Sequence, residues 1–243
     1  MDNLLRLQDL IDNPTPRVPI CLCLDTSGSM SSTVRYEGSS SVSAIDELNH
    51  GLRQFYEELK ADEVALYAAE ICIVTFGGNE PELIMDFANL ERQSDLPTLQ
   101  ANGATPMGEA INLALDRLEQ RKQEYRDKGV DYYQPWLVLM TDGENNGSSA
   151  EFERASARTV ELINTKKLTI FPLAISSDDA YTEQQVMQTL RRFSPNRDPL
   201  KLGRTKFSQF FQWLSQSVAR TSVSVPGEKV QLDLDGIKGW AEL

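Results

Sequence analysis

The sequence contains few histidines and cysteines, the side chains that most zinc sites require. It contains one histidine, His50, so most zinc sites are excluded and a Ser-His-Asp triad has a single possible base. No nucleophile elbow lies near His50 in the sequence, and we interpret it as a surface or packing residue.

The cysteines are also few, and their odd number, three, is typical of a reducing compartment. Cys21 and Cys23 lie two positions apart on one predicted strand, and Cys72 lies on a predicted neighbouring strand. A Cys-x-Cys metal site is one interpretation of this pattern. Small buried hydrophobic residues are the interpretation we favour.

Long apolar runs and an excess of basic residues are absent as well. No run approaches the roughly 20 residues of a membrane-spanning helix, and residues 1–6 lack the basic and then apolar pattern of a signal peptide. The formal net charge of −12 argues against general binding to nucleic acid or anionic membranes, because both need a basic surface. We therefore expect a cytoplasmic protein, whose 243 residues suffice for one α/β domain with tails.

Polar side chains follow the first strongly apolar segment of the chain. Residues 18–24 are typical of a parallel strand that is buried on both faces, and Asp25, Ser27 and Ser29 come directly after it. In a tight turn these alternate side chains can direct three oxygens at one point, which suits a hard divalent cation such as Mg²⁺. The alternative is a serine-rich turn that only caps the next helix.

Two further segments resemble this one in placing polar groups at the start of a helix or the end of a strand. Thr105-Pro106 opens a helical pattern, which predicts proline at the first helical position and Thr105 at the N-cap with its hydroxyl facing outward. Asp142 follows residues 136–141, a second buried-strand pattern. Taken singly, these are an ordinary cap and an ordinary turn aspartate. Together with Asp25, they predict a metal site at one edge of a sheet.

Strand and helix patterns alternate along the chain, which predicts an α/β fold with a mostly parallel sheet and helices on both faces. Ser43 begins a capping box for one helix, and Thr182-x-x-Gln185 is interpreted as the start of another. Gly77-Gly78-Asn79 turns the strand at 70–76 into a predicted antiparallel edge strand at 82–87. Residues 31–42 form a loop longer than such a connection usually needs.

Asp-x-Ser-x-Ser after a first strand, an isolated Thr-Pro and a later Thr-Asp-Gly resemble the metal-ion-dependent adhesion site of von Willebrand factor A domains. The resemblance covers about residues 17–221, which leaves an N-terminal arm at 1–16 and a C-terminal tail at 222–243 that docks on the domain or adds a strand. Leu48-Asn49-x-Gly51-Leu52 and the segment from Gly103 to Gly108 resemble the bacterial branch associated with tellurite resistance.

This resemblance implies a doubly wound sheet of six strands in the order 3-2-1-4-5-6, with the third strand antiparallel. The first and fourth strands are then neighbours, and their carboxyl ends border the crevice where such sheets bind ligands. It also implies direct ligation by the hydroxyls of Ser27, Ser29 and Thr105. Asp25 and Asp142 would bind the ion directly or through water. Mg²⁺ is the expected ion, with Mn²⁺ or Ca²⁺ as substitutes, and the expected partner is a protein that supplies a Glu or Asp carboxylate.

Two alternatives to this non-enzymatic interaction module stay open. A metal-assisted phosphohydrolase would need an acidic nucleophile or base and a phosphate-binding Lys or Arg beside the metal. The two metal-site segments contain no basic residue, Glu144 is the only spare acid close by, and Arg35 is the nearest cation in the sequence. The second alternative is a scaffold whose metal is purely structural.

Overall fold

The sheet is organised around β1 (Val18–Asp25), which pairs in parallel with a strand on each side and whose residues are all buried. The structure is a computed structural model, and it describes residues 10, 12–34, 41–93, 95–176, 179–204, 206–227 and 241–242. The remaining strands are β2 (Thr33–Val34), β3 (Val42–Ser43), β4 (Ala69–Phe76), β5 (Pro81–Met85), β6 (Trp136–Thr141), β7 (Thr169–Ile175), β8 (Leu200–Leu202) and β9 (Ala241–Glu242). The α-helices are α1 (Ala44–Ala61), α2 (Ala65–Ala68), α3 (Met107–Lys128), α4 (Ser149–Asn164), α5 (Ala180–Arg191) and α6 (Phe207–Ser222).

Within the described residues, the main sheet has the order β5-β4-β1-β6-β7-β8-β9. Its first six strands in chain order are β1, β4, β5, β6, β7 and β8, so the predicted order 3-2-1-4-5-6 is confirmed. The third of them, β5, pairs antiparallel with β4, also as predicted. The sheet gains a seventh strand, because β9 from the C-terminal tail pairs antiparallel with β8. The long loop contributes a small ribbon of β2 and β3.

Two apolar cores lie on the two faces of the sheet, as the alternation of side chains along β1 requires. Ile20 and its even-numbered neighbours in β1 pack with α1 and α6 on one face. Cys21 and Cys23 pack on the other face with Cys72 and with α3, α4 and α5. All three cysteines are fully buried, and burial raises the pKa of each thiol. The interpretation as small buried hydrophobic residues is therefore confirmed.

The helix starts show where local patterns succeed and fail. The predicted cap at Ser43 is confirmed, since its Oγ accepts a hydrogen bond from the amide of Asp46 at 3.2 Å. The predicted start at Thr182 is wrong. Asp179 is the N-cap of α5 and its Oδ2 accepts from the amide of Thr182 at 2.9 Å. A carboxylate also complements the positive end of the helix dipole, which favours aspartate at this position.

The opposite, amino-terminal edge of the sheet holds a buried ionic cluster, which we call the Glu70 cluster: Arg17, Glu70, Arg121 and Tyr125. Glu70 is at the start of β4 and accepts hydrogen bonds from Arg17 at 3.1 Å and from Arg121 at 2.6 and 2.8 Å. The phenol of Tyr125 donates to it at 2.5 Å. The cluster joins the segment before β1, the strand β4 and the last turns of α3.

The predicted arm and tail lie largely outside the described residues. Leu10 of the arm is buried, and residues 12–16 lead towards β1. Residues 228–240, including Trp240, are outside the described part, as are Arg35 and the rest of 35–40. No helix of the described residues combines the length and the apolar character that crossing a bilayer would take.

Candidate metal centre

Three loops meet at the carboxyl edge of the sheet, and they carry the five residues predicted from the sequence. The first follows β1, the second leads into α3, and the third follows β6. Because β1 and β6 are parallel neighbours with Leu24 opposite Met140, the loops after them emerge side by side. His50, which we interpreted from the sequence as a surface or packing residue, is exposed on α1.

The two serines of the first loop face the aspartate of the third. Ser29 donates a hydrogen bond from its hydroxyl to Oδ1 of Asp142 at 2.6 Å. The hydroxyls of Ser27 and Ser29 lie 3.0 Å apart. The fold therefore brings together oxygen atoms of residues that lie 113 positions apart in the sequence. The positions of Ser27 and Ser29 after β1, and of Asp142 after β6, predicted that they would lie close together.

Asp25 is fully buried at the end of β1 and is held on both carboxylate oxygens. Its Oδ1 accepts from the amide of Ser27 at 2.8 Å, and its Oδ2 accepts from the hydroxyl of Thr141 at 2.5 Å. Burial raises the pKa of Asp25 to about 6 and the charge of Asp142 contributes to the rise, while the bonds from Ser27 and Thr141 act against it. Sequence reasoning gave Thr141 no role, although it stood in the Thr-Asp-Gly motif.

Asp142 is the second buried carboxylate, and burial raises its pKa too. The hydrogen bond from Ser29 and the charge of Arg204 lower the pKa of Asp142 in turn. Arg204 lies in the loop between β8 and α6, and its Nε donates to the carbonyl of Ser176 at 2.8 Å. In the sequence, Arg35 was the nearest cation. Arg204 was missed because 62 positions separate it from Asp142 in the chain.

Thr105 reaches the site, but the predicted N-cap is wrong. The helix begins at Met107 with Pro106 at the N-cap, and no side chain of these residues caps it locally. Thr105 is buried, with its Oγ1 3.6 Å from where a Cβ on Gly143 would lie, so it faces the third loop rather than outward. Proline has no amide hydrogen to donate, and the carbonyl of Thr105 instead accepts from the amide of Met107 at 2.8 Å.

Backbone contacts hold the first loop against the second. The amide of Gly28 donates to the carbonyl of Gly103 at 3.1 Å, and the amide of Asn102 donates to the carbonyl of Thr26 at 2.7 Å. Gly77 lies so close to Thr26 that a Cβ on residue 77 would overlap the carbonyl of Thr26, which explains why glycine occupies this position. Asn49 bonds both the amide and the carbonyl of Leu99 and so ties the second loop to α1.

The donor set fits a hard divalent cation. Two buried carboxylates lie near each other with raised pKa values, a costly arrangement that a dication relieves. The other side chains are hydroxyls, and oxygen ligands suit Mg²⁺ or Ca²⁺ rather than zinc. In the part of the chain that the structure describes, no cluster of three or more His, Cys, Asp or Glu side chains offers a different metal site.

Comparisons with known proteins agree with this architecture. The profile of the von Willebrand factor type A domain matches residues 20–144, from β1 to just beyond Asp142. No curated protein matches the chain.

Solved structures with the same fold include several bacterial pilus proteins. The PilB minor pilin from Streptococcus sanguinis superposes with a TM-score of 0.60 at 12% identity, over 87% of this chain and 64% of the pilin. The vWF domain of the type V pili tip protein Mfa5 from Porphyromonas gingivalis gives 0.55 at 12% identity, over 89% of this chain and 99% of that domain. The pilus adhesin SpaC from Lactobacillus rhamnosus GG gives 0.58 at 12% identity, over 86% of this chain and 31% of the adhesin. At this identity the likeness concerns the fold.

Proposed function

This chain belongs to the von Willebrand factor type A domain family, a family of protein-interaction modules, and we propose that it captures a protein partner through a bound divalent cation. The observation that carries the proposal is the pair of buried carboxylates, Asp25 and Asp142, facing two serine hydroxyls at the carboxyl edge of the sheet. We propose that the module spans residues 17–221, with an arm at 1–16 and a tail at 222–243.

The proposed ligands are hydroxyls and carboxylates, and the two kinds of group would have different roles. Ser27, Ser29 and Thr105 are the proposed direct hydroxyl ligands, and Asp25 and Asp142 bind the ion directly or through water. We propose Mg²⁺ as the ion, with Mn²⁺ or Ca²⁺ as substitutes. A dication held mainly by neutral hydroxyls and water supplies an electrophilic position for an anionic oxygen. The proposed partner therefore presents a Glu or Asp carboxylate.

The alternative of a metal-assisted phosphohydrolase gains one feature from the fold, since Arg204 lies close enough to affect Asp142. That alternative also needs a well-placed nucleophile or base, and the site offers less support for one. Asp25 is held on both oxygens by Ser27 and Thr141, and these bonds leave it poorly placed to attack a phosphorus atom. We therefore propose that the chain is not an enzyme. Phosphoester turnover that depended on Asp142 would favour the alternative.

The proposed cellular setting rests on the motifs around the site. The segments 48–52 and 103–108 resemble the bacterial branch associated with tellurite resistance. On that resemblance we propose a cytoplasmic role in a stress response of that kind.

Isothermal titration calorimetry with Mg²⁺ tests the metal site. We expect one ion per chain for the wild type and at least tenfold weaker binding for Ser27→Ala combined with Ser29→Ala, because two of the proposed ligands are removed. Ser32→Ala is the matched control, since Ser32 ends the same turn and is exposed. Equal affinity of the wild type and the double variant would refute the assignment.

A further inference from the structure

Two asparagines of the third loop, Asn145 and Asn146, form hydrogen bonds that the metal site itself does not require. The amide of Thr105 donates to Oδ1 of Asn146 at 2.5 Å, and the amide of Asn146 donates to the carbonyl of Thr105 at 3.1 Å. These paired bonds link Thr105 to a loop 41 residues further along the chain.

Asn145 supplies the cap that α3 lacks locally. Its Oδ1 accepts from the amide of Met107 at 3.1 Å and from the amide of Gly108 at 3.4 Å. These amides are among the first of the helix, which have no partner within it. At the same junction the amide of Ser148 donates to Oε1 of Glu109 at 2.7 Å. Hydrogen bonds from both sides thus join the third loop to the first turn of α3.

The first loop is attached to a different part of the second loop. Its contacts are backbone bonds from Gly28 to the carbonyl of Gly103 and from Asn102 to the carbonyl of Thr26. Gly103 has a φ of +67°, a conformation that glycine adopts freely. Thr105 therefore lies just beyond these contacts with the first loop and within the set of bonds to the third.

Resting on the proposed function, we infer that Asn145 and Asn146 are positioning residues that hold Thr105 in register with Asp142. Neither asparagine is a proposed ligand, so both can be changed without removing a metal-binding oxygen.

The first measurement is amide hydrogen exchange of metal-free protein, with Asn145→Ala and Asn146→Ala against the wild type. We expect exchange at least tenfold faster at the amide of Thr105 in Asn146→Ala, and at the amide of Gly108 in Asn145→Ala. Asn146→Asp and Asn145→Asp keep an acceptor oxygen at the same position and should restore slow exchange.

The second measurement is titration with Mg²⁺. We expect Asn146→Ala to weaken Mg²⁺ binding by about as much as Thr105→Ala does, about threefold, because Asn146 acts on the ion only through Thr105. The matched control is Asn112→Ala, because Asn112 is a buried asparagine that bonds α3 to Glu151 of α4 away from the site. It should leave Mg²⁺ affinity unchanged even if it lowers the melting temperature.

Unchanged exchange in both alanine variants would overturn the inference, and so would faster exchange with wild-type affinity for Mg²⁺ in Asn146→Ala. If the wild type bound no Mg²⁺, the proposed function would fail. The exchange experiment alone would then still decide whether the two asparagines hold Thr105 and the start of α3.

Discussion

Asp25 combines complete burial with a second carboxylate nearby, and this combination sets the sign of its effect on folding. Its ordinary pKa of 3.8 rises to about 6 in the folded protein, so the folded state binds this proton more tightly than the unfolded state does. The ionised carboxylate therefore disfavours folding of the metal-free protein. The penalty is fully present above pH 6 and is lost as the pH falls towards 3.8. A shift of this size corresponds to about 3 kcal/mol.

We expect Asp25→Asn to stabilise the metal-free protein by up to about 3 kcal/mol at about pH 7.5 while abolishing binding of Mg²⁺. The amide can still accept from Ser27, and it can donate to Thr141, whose hydroxyl can turn to the carbonyl of Gly143 at 3.0 Å. Urea unfolding in EDTA, at about pH 7.5 and about pH 4.5, measures the difference, which should shrink at the lower pH.

The matched control for Asp25→Asn is Asp127→Asn, because Asp127 is exposed on α3 and accepts a hydrogen bond from Gln123 one turn away. It should leave the free energy of unfolding nearly unchanged at both pH values. A variant Asp25→Asn that was less stable than the wild type at the higher pH would contradict the assigned cost of the buried charge.

At the scale of elements, α3 connects the two edges of the sheet. Its first turn is bound to the third loop at the carboxyl edge. Arg121 and Tyr125 on its later turns belong to the Glu70 cluster at the amino edge. Gly108 allows the close crossing of α3 and α4, since a Cβ there would overlap the backbone of Phe152. These contacts hold both ends of α3 in place. A local cap at Thr105 and Pro106 would hold only its first turn.

We expect Glu70→Gln to lower the free energy of unfolding by about 3–5 kcal/mol, because it removes the buried carboxylate charge that two buried guanidinium groups share. Urea unfolding at neutral pH is the measurement. Glu119→Gln is the control, on α3. Its side chain is 55% exposed, and its ion pair with Lys122 should contribute less than about 1 kcal/mol. Similar losses of unfolding free energy in the two variants would show that burial does not increase the contribution of the Glu70 cluster to stability.

The whole molecule carries a formal charge of −12, which attracts cations to its surface and disfavours approach by an acidic partner. A bound dication would replace this repulsion with attraction at one place on the carboxyl edge, where Arg204 adds a further positive charge. A partner would therefore meet a local anion-binding position on an otherwise acidic protein. Metal-dependent capture and a structural metal make different predictions for this surface.

We expect a partner captured in Mg²⁺ to be lost in EDTA and to bind at least tenfold more weakly to Thr105→Ala. The threonine side chain does not cap α3, so the fold and much of the Mg²⁺ affinity should persist. Pull-down followed by affinity measurement on the captured protein provides the test, with Thr33→Ala as the exposed control near the same edge. Retention in EDTA and in Thr105→Ala alike would make the metal structural and place the binding surface elsewhere.

The local pattern of the sequence determined the sheet and the approximate place of the site. Apolar runs predicted β1 and β6 as buried strands, a further strand was predicted at 70–76, where β4 lies, and a short glycine turn predicted the antiparallel β5. Parallel strands deliver the loops at their carboxyl ends to one edge, so Asp25, Ser27, Ser29 and Asp142 could be placed together from their positions after strands. This reasoning also needs β1 and β6 to be neighbours, which the resemblance to von Willebrand factor A domains implied.

Tertiary structure alone decided how the site is held. Thr105 owes its position to Asn146, the cap of α3 comes from Asn145, and Arg204 lies near Asp142 at the sheet edge. The Glu70 cluster and the pairing of β9 with β8 are likewise contacts between distant segments. A hydrogen-bond acceptor or a counter-charge leaves no period or spacing in the sequence when its partner is tens of residues away. Only the folded backbone, by bringing those segments together, determines which groups satisfy one another.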